Sequence, residues 1–169
     1  MCGIVGYFSK SAITKLRANE TKKAAKLIKH RGPDFQNIWV GENIALAHDK
    51  LSIQDFSKQS NQPLGDAKVV IAFNGEIYNW KELTREFNLV NCSFDGDVIF
   101  SLYNLFGIDF VELLEGDFAI SIYDKSRNKL FLIRDRLGVK PLVYHSSPSG
   151  VCFASEAKAF NAFSDVFLQ

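Results

Sequence analysis

The chain has 169 residues, 47% of them hydrophobic and 15 of them phenylalanine, which is enough apolar material for one domain with a sizeable core. Twenty basic and 19 acidic side chains leave a net charge of +1, which argues against binding to nucleic acid or an anionic membrane surface. No apolar run in the sequence is long enough to cross a bilayer.

The first half of the chain alternates apolar strands with helical segments. A β-branched and aromatic run, Ile4 to Phe8, predicts a strand that starts almost at the N-terminus. Apolar residues at helical spacing predict a helix from about Asn19 to His30, which the following Gly-Pro pair ends. Two apolar runs on either side of Gly41 predict a hairpin, and VVIAF (Val69 to Phe73) predicts a buried strand that leads into NGEIYN.

The second half begins with two helices and ends with strands. WKELTREF (Trp80 to Phe87) is typical of a short helix, and DGDVIFSLYNLFG predicts a longer one with Asp95 near its start and Gly107 at its end. Four apolar runs after Gly116, separated by DKSRN and SSPSG, predict consecutive antiparallel strands. Several strands are apolar on both faces, so we expect sheets covered by one another and by helices, in a layered α+β domain.

The cysteines and histidines show no metal-binding pattern. The three cysteines form no CxxC or Cys/His spacing, and the N-terminus lacks the pattern of a secretory signal peptide. We therefore expect a cytoplasmic domain with no metal ion. The three histidines are expected to be structural or surface residues: His30, His48 and His145.

Cys2 has two interpretations. Free cysteine usually packs as a small hydrophobe, but removal of Met1 would make Cys2 an N-terminal nucleophile. Its own α-amine could then act as the base, because that amine titrates at about 7.7–8.0 and a thiol at about 8.5. The Asn74 carboxamide and the Gly75 backbone N–H, predicted at the end of a buried strand, could form the oxyanion hole. Read alone, however, Asn-Gly is typical of a turn.

Eight ordered motifs together resemble one known family, the glutaminase domain of asparagine synthetases. The motifs are MCGIVG, HRGPD, LSI, QP, NGEIYN, GDFAISIYD, RDRLGVKPL and ASEAKA. These domains are class II glutamine amidotransferases of the N-terminal nucleophile type, and the resemblance runs from Cys2 to about Phe160. It implies a single domain over residues 1–169 with the fold of N-terminal nucleophile hydrolases, a four-layer αββα sandwich of two antiparallel sheets.

The resemblance also implies catalytic roles. Cys2, once Met1 is removed, would attack the carboxamide of glutamine and form a γ-glutamyl thioester, while its α-amine moves the protons. Asn74 and Gly75 would hold the oxyanion. Two neighbours would shape this loop and line the glutamine pocket: Glu76 and Asn79.

The charges of free glutamine need partners as well. The resemblance implies that Lys50 binds the α-carboxylate, in place of the arginine usual in the family, and that Asp95 binds the α-ammonium. The backbone of three residues would complete the carboxylate side: Leu51, Ser52 and Ile53. Two residues of HRGPD would have supporting roles: Arg31 and Asp34.

Two departures from the family pattern bear on activity. Lys50 keeps the positive charge but lacks the planar guanidinium group with which arginine donates two parallel hydrogen bonds to a carboxylate. The loss of this geometry should cost about 1–2 kcal/mol of binding free energy, which weakens glutamine binding roughly 5- to 30-fold. The stretch from Phe94 to Asp97 replaces the usual S-D-[TC]-E. These departures keep an alternative open: a degenerate glutamine-binding or scaffolding domain with weak or no glutaminase activity.

The resemblance implies a partner that uses the ammonia. Asparagine synthetases continue into an ATP-dependent synthetase domain with a glycine- and serine-rich pyrophosphate loop, and no such segment occurs in this chain. We therefore expect a piece of a longer enzyme, or a separate subunit, that delivers ammonia to such a domain. ATP and magnesium are expected only in that partner, no cofactor is expected here, and a homodimer is compatible with the sequence.

Overall fold

Two antiparallel sheets lie face to face in the computed structural model, which describes residues 1–52 and 60–166. The strands in this part of the chain are β1 (Gly3–Ser9), β2 (Phe35–Val40), β3 (Ile44–Lys50), β4 (Leu64–Gly65), β5 (Val69–Ile77), β6 (Gly116–Asp124), β7 (Lys129–Arg134), β8 (Val143–Ser147) and β9 (Gly150–Ala154). The first sheet has the order β2-β3-β1-β9-β8 and the second has the order β4-β5-β6-β7.

Helices cover the outer face of each sheet. The α-helices are α1 (Lys15–Leu27), α2 (Trp80–Glu86) and α3 (Asp95–Phe106), and the 3₁₀ helices are Lys29–Arg31, Gly107–Leu113 and Ala157–Ala162. Helix α1 packs on β1 and β3, whereas α3 packs on β5, so the order of layers is αββα. The α+β sandwich implied by the resemblance is confirmed. No helix in the described residues has the length and apolar character needed to span a membrane.

Helix α1 begins four residues before the predicted start. The Thr14 side chain accepts a hydrogen bond from the backbone N–H of Arg17, which satisfies one of the free donors of the first turn. The α-helix ends at Leu27, and the last predicted residues form a 3₁₀ turn before Gly32. The prediction was therefore right about the helix and wrong about its bounds.

Three apolar layers hold the sandwich together. One lies between α1 and the first sheet around Tyr7 and Ile28, and one lies between the sheets around Leu46 and Phe153. The largest packs α2 and α3 on the second sheet around Phe110. Because β1, β3 and β5 are covered on both sides, they are apolar on both faces, as the sequence predicted.

Strand β5 is longer than its apolar run. It continues through the Asn-Gly pair to Ile77, with Asn74 opposite Ala119 and Gly75 opposite Phe118 on β6. The turn interpretation of Asn-Gly is therefore wrong, and the pair lies inside a strand. Glycine is needed here because a Cβ atom at Gly75 would lie 2.1 Å from the carbonyl oxygen of Asp117.

The four C-terminal strands form two hairpins rather than one series. Strand β7 pairs with β6 in the second sheet, whereas β8 pairs with β9 in the first. The chain crosses between the sheets in a loop that the buried carboxylate of Asp135 organises by accepting the backbone N–H groups of Leu137, Val139 and Lys140 at 3.1, 2.8 and 3.0 Å. The apolar pattern alone cannot show such a crossing, since it is the same for either sheet.

Candidate active site

A cavity of about 340 Å³ opens between the two sheets, where β1 begins and β3 ends. Strand β5 and the start of α3 form its other walls. Seven of the residues proposed from the sequence line it: Cys2, Lys50, Leu51, Asn74, Gly75, Glu76 and Asp95. Residues 80 positions or more apart in the sequence are thus brought to one site.

The Cys2 thiol lies next to the end of β3. The backbone N–H of Leu51 donates to Sγ at 3.4 Å, and Sγ lies 3.8 Å from the Leu51 carbonyl oxygen. Burial raises the pKa of Cys2, against the lowering effects of the Leu51 N–H, the N-terminal ammonium and Lys50. The thiol is therefore protonated at neutral pH and needs a base before it can act as a nucleophile.

Arg31 fixes the backbone beside this thiol. Its Nε donates to the Cys2 carbonyl at 3.0 Å, and its Nη1 donates to Glu156 at 2.9 Å. Burial opposes ionisation of Glu156, but hydrogen bonds from Arg31, Lys158 and His30 lower its pKa to about 2, so the carboxylate stays charged. The sequence proposed Arg31 as a supporting residue, and its contacts place it behind Cys2 rather than in the cavity wall.

Asn74 presents a hydrogen-bond donor in the cavity wall. The residue is only 2% exposed, and its Nδ2 has no hydrogen-bond partner among the described residues. Gly75 follows it in the wall. A neutral amide and a backbone N–H at the end of one cavity are the kinds of donor that stabilise a developing oxyanion.

Two residues that the sequence analysis did not assign to the site hold this part of β5 in place: Gln62 of the QP motif, and His48. Strand β4 is only two residues long, so β5 extends past it, and side chains replace the missing strand. The Phe73 N–H donates to Gln62 Oε1 at 2.6 Å, and the Phe73 carbonyl accepts from His48 Nε2 at 3.2 Å. Both side chains line the cavity. The hydrogen bond to Phe73 is what we would expect of a structural histidine. The position of His48 in the cavity wall was not expected, and the sequence gives no signal for it.

Lys50 is buried, and polar neighbours hold its ammonium. Nζ donates to Ser60 Oγ at 2.6 Å and lies 3.4 Å from Asn61 Oδ1. The proposed carboxylate partner is thus in the cavity wall, in contacts with two residues that sequence reasoning did not single out. Burial of the charge at this depth is tolerable because oxygens such as those of Ser60 and Asn61 accept its hydrogen bonds.

Part of the backbone after Lys50 makes hydrogen bonds to other residues of the domain. The Ser52 N–H donates to Asp34 Oδ2 at 2.7 Å, and the Asp34 N–H donates to the Lys50 carbonyl at 3.1 Å. Ser52 does not line the cavity, and the Leu51 N–H faces the Cys2 thiol. The assignment of the backbone of Leu51 and Ser52 to the carboxylate side therefore stays a prediction, with Leu51 in the cavity wall and both N–H groups in the contacts just given. Ile53, the third residue, lies outside the described residues.

Asp95 is the first residue of α3 and accepts the Ile77 N–H at 3.1 Å. Burial, together with the nearby charge of Glu76 and against backbone hydrogen bonds, raises its pKa to about 6. Ionisation is costly there without a cationic partner. The carboxylate is therefore suited to binding an ammonium group.

The unusual stretch from Phe94 to Asp97 leads into the first turn of α3. A Cβ atom at Gly96 would lie 2.4 Å from the Phe94 ring, so the ring fits beside the cavity only because residue 96 is glycine. Asp97 accepts hydrogen bonds from the Ser93 N–H at 2.8 Å and the Ser93 hydroxyl at 2.9 Å, which tie the chain before the helix to its first turn. The altered neighbours thus leave Asp95 in place.

Asn79 lies outside the cavity wall. Its Nδ2 donates to the Leu113 carbonyl at 2.9 Å, and its Oδ1 accepts the Glu115 N–H at 3.1 Å. The side chain of Asn79 instead holds the turn after β5 against the chain before β6, so its contacts are those of a residue that shapes the loop. Glu76 does lie in the wall.

The other cysteines and two of the histidines do not line the cavity. Cys152 is buried in the core, Cys92 contacts Ser101, and His30 Nε2 lies 3.0 Å from Glu156. All three cysteines are free thiols. Within residues 1–52 and 60–166, no group of three or more His, Cys, Asp and Glu side chains could hold a metal ion.

Comparison with known proteins identifies the family. The family model of a glutamine amidotransferase domain matches residues 1–168. The chain belongs to this family. The amidotransferase domain is 37% identical to asparagine synthetase [glutamine-hydrolyzing] 2 of Bacillus subtilis over 94% of the chain and 22% of that protein. It is 36% identical to asparagine synthetase B of Escherichia coli over 94% of the chain and 30% of that protein.

A solved structure supports the fold of the amidotransferase domain. The glutamine phosphoribosylpyrophosphate amidotransferase of B. subtilis matches 95% of this chain and 43% of that one, with a TM-score of 0.78 and 18% identity. The chain spans between 22% and 36% of the length of the first curated relatives it matches. As a glutamine amidotransferase domain, it is an enzyme domain.

The raised pKa of Asp95 predicts weaker glutamine binding in acid. The resemblance implies that Asp95 binds the α-ammonium of glutamine, and below a pH of about 6, where the carboxyl group of the free domain is protonated, that attraction would be lost. We expect the glutamine Kd of a Cys2→Ala protein, measured by calorimetry, to rise as the pH falls through 6. An added Asp95→Asn change should weaken binding at pH 7.5 by about tenfold and abolish this pH dependence. A pH dependence that survives the Asn change would contradict the assignment.

Proposed function

We propose that this domain hydrolyses glutamine to glutamate and ammonia through a γ-glutamyl thioester on Cys2. The observation that carries the proposal is one cavity whose wall contains the Cys2 thiol, the carboxylate of Asp95 and the Asn74 amide, whose Nδ2 has no hydrogen-bond partner among the described residues. A nucleophile, an oxyanion donor and an ammonium partner are the three groups that this reaction on a free amino acid requires.

The first half of the reaction forms the thioester. Met1 lines the cavity next to Cys2, and its removal transfers the free α-amine to Cys2. That amine takes the thiol proton, Sγ attacks the carboxamide carbon, and Asn74 with Gly75 stabilises the oxyanion. The C–N bond then breaks, and the amine returns the proton to the departing nitrogen, which leaves as ammonia.

The second half regenerates the thiol. The α-amine removes a proton from water, the resulting hydroxide attacks the thioester carbon, and the same two donors stabilise the second oxyanion. The C–S bond breaks, Sγ recovers a proton from the amine, and glutamate is released. No group besides the chain's own residues and water is needed for the balance of atoms and electrons.

The charged ends of glutamine set its orientation. Asp95 takes the α-ammonium, and Lys50, held by Ser60 and Asn61, supplies positive charge for the α-carboxylate. An ammonium that is already oriented loses little further side-chain entropy when the substrate binds. This favours an active domain over the degenerate alternative, despite the loss of the arginine fork.

The ammonia acceptor in our proposal is an ATP-dependent synthetase domain or subunit that makes asparagine or a related amide. The names of the relatives from B. subtilis and E. coli support this choice. We place ATP and magnesium in that partner, assign no cofactor to this domain, and propose the cytoplasm, where free thiols stay reduced, as its compartment.

The test measures both products and the nucleophile. Mature protein should form glutamate and ammonia from glutamine in equal amounts, and a glutamine analogue with a diazoketone in place of the carboxamide should alkylate Cys2 unless glutamine is present. In the presence of the synthetase partner, aspartate and ATP, the amide nitrogen of labelled glutamine should appear in asparagine. Protein that lacks Met1 and binds glutamine but releases no ammonia would support the degenerate alternative instead.

A further inference from the structure

Two residues that line the cavity from opposite sheets each carry a buried nitrogen without a hydrogen-bond partner in the part of the chain that the structure describes. One nitrogen is Nδ2 of Asn74 on β5, and the other is Nδ1 of His48 on β3. The two residues are 2% and 1% exposed. Because an unsatisfied buried polar atom is costly, two of them in one cavity wall indicate a ligand that supplies the missing partners.

The chemical character of His48 Nδ1 follows from the bond that its other nitrogen makes. Nε2 lies 3.2 Å from the Phe73 carbonyl, which can only accept, so Nε2 carries the proton. Burial lowers the pKa of His48 to about 4, against the hydrogen bond to Phe73 and with help from Lys50, so the ring is neutral. Nδ1 is therefore an acceptor, and the cavity presents one donor and one acceptor.

A primary carboxamide is the complement of this pair, because its oxygen accepts and its NH₂ group donates. We propose that His48 Nδ1 accepts a hydrogen bond from the carboxamide nitrogen of glutamine while Asn74 Nδ2 donates to the carboxamide oxygen. The inference rests on the proposed function and assigns the group that recognises the reacting amide. A carboxylate offers no N–H to His48, so the same contact disfavours the product glutamate.

The position of His48 suits this contact. Ile4 pairs with His48, and Cys2 immediately precedes β1, two residues before Ile4. If the alternation of the strand continues through Cys2, its side chain and that of His48 point to the same side of the first sheet, in agreement with their common place in the cavity wall. Such diagonal neighbours have Cα atoms about 7–8 Å apart, which leaves room for a carboxamide between the thiol and the imidazole. Its carbon can face Sγ while its nitrogen faces Nδ1.

The contact persists through thioester formation without a change in the protonation of His48. The C–S bond forms, the C–N bond breaks, and the proton that the nitrogen gains comes from the α-amine of Cys2. His48 gives and takes no proton, and it holds the nitrogen as the amide becomes ammonia. It is a residue of substrate recognition rather than an acid or a base.

Two variants of His48 distinguish a role in recognising the carboxamide from a role in supporting strand β5. His48→Gln places an amide donor near the position of Nε2, so it can keep the bond to Phe73 while it loses the acceptor at Nδ1. His48→Asn does the reverse, since its side-chain oxygen lies near the position of Nδ1 and no donor reaches Phe73. The melting temperature of each variant reports the structural loss separately from the kinetics.

The readout compares glutamine with its γ-methyl ester, whose leaving group has no N–H. We expect the ratio of kcat/KM for glutamine to that for the ester to fall about tenfold in His48→Gln, the effect of one hydrogen bond, and to stay within about twofold in His48→Asn. An unchanged ratio in His48→Gln, or a larger fall in His48→Asn, would overturn the inference. Unmodified mature protein that hydrolyses neither compound would overturn the proposed function itself.

Discussion

A protein with alanine in place of Cys2 should release ammonia from glutamine at least about a thousandfold more slowly than the unmodified protein, because no other group can form the thioester. The change removes one sulfur atom whose contacts are with the Leu51 backbone, so the fold should persist. An assay of ammonia release, with the melting temperature as a check of folding, measures both. Glutamine should still bind, since its charged ends contact other residues.

Retaining a residue before Cys2 should slow the release of ammonia as strongly as Cys2→Ala does, although the thiol is still present. A variant with an N-terminal extension that is not cleaved holds the α-amine of Cys2 in a peptide bond, where it cannot act as a base. Intact mass confirms the extension. Cys92→Ala is the matched control, because Cys92 lies outside the cavity and its loss should leave ammonia release unchanged. An extended protein that is fully active would show that another group takes the thiol proton.

The sequence predicted the parts of the fold that depend on local patterns. Apolar periodicity located α3 and most strands, and Gly107 ended α3 as expected, with a φ of 62°. It could not show that β7 and β8 lie in different sheets, because the crossing depends on the hydrogen bonds of Asp135 and not on any apolar pattern. Likewise, the continuation of β5 through Asn74 and Gly75 is a tertiary effect of pairing with β6.

The residues of the candidate site also fall into those that the sequence indicated and those that it did not. The family resemblance indicated Cys2, Asn74 and Asp95, and the fold brings them to one cavity. His48 was not indicated, because its role depends on a carbonyl 25 residues away, and a lone histidine on a strand carries no signal of its own. The contacts of Lys50 with Ser60 were missed for the same reason. Sequence patterns report residue types along the chain, whereas partners across the sheets are set by packing.

Asn74→Ala should lower kcat by about a hundred- to a thousandfold and leave the glutamine KM within about twofold, because its amide acts on charge that develops in the transition state. Nδ2 has no hydrogen-bond partner in the described part of the chain, so its removal breaks no bond that supports the fold. Asn74→Asp should be at least as slow, since an acceptor with negative charge would face the oxyanion. Steady-state kinetics on mature protein measure both constants.

Asn104 provides the control for this prediction. It is an exposed asparagine on α3 outside the cavity wall, so Asn104→Ala should leave kcat unchanged. A change at Asn74 that raised KM and left kcat intact would assign its amide to binding of the ground state instead. A selective loss of kcat means that the hydrogen bond from Asn74 to the carboxamide oxygen strengthens as that oxygen becomes an oxyanion. It would also explain why Nδ2 of so buried an amide has no partner among the described residues: the donor is available for the charge that develops on the substrate during the reaction.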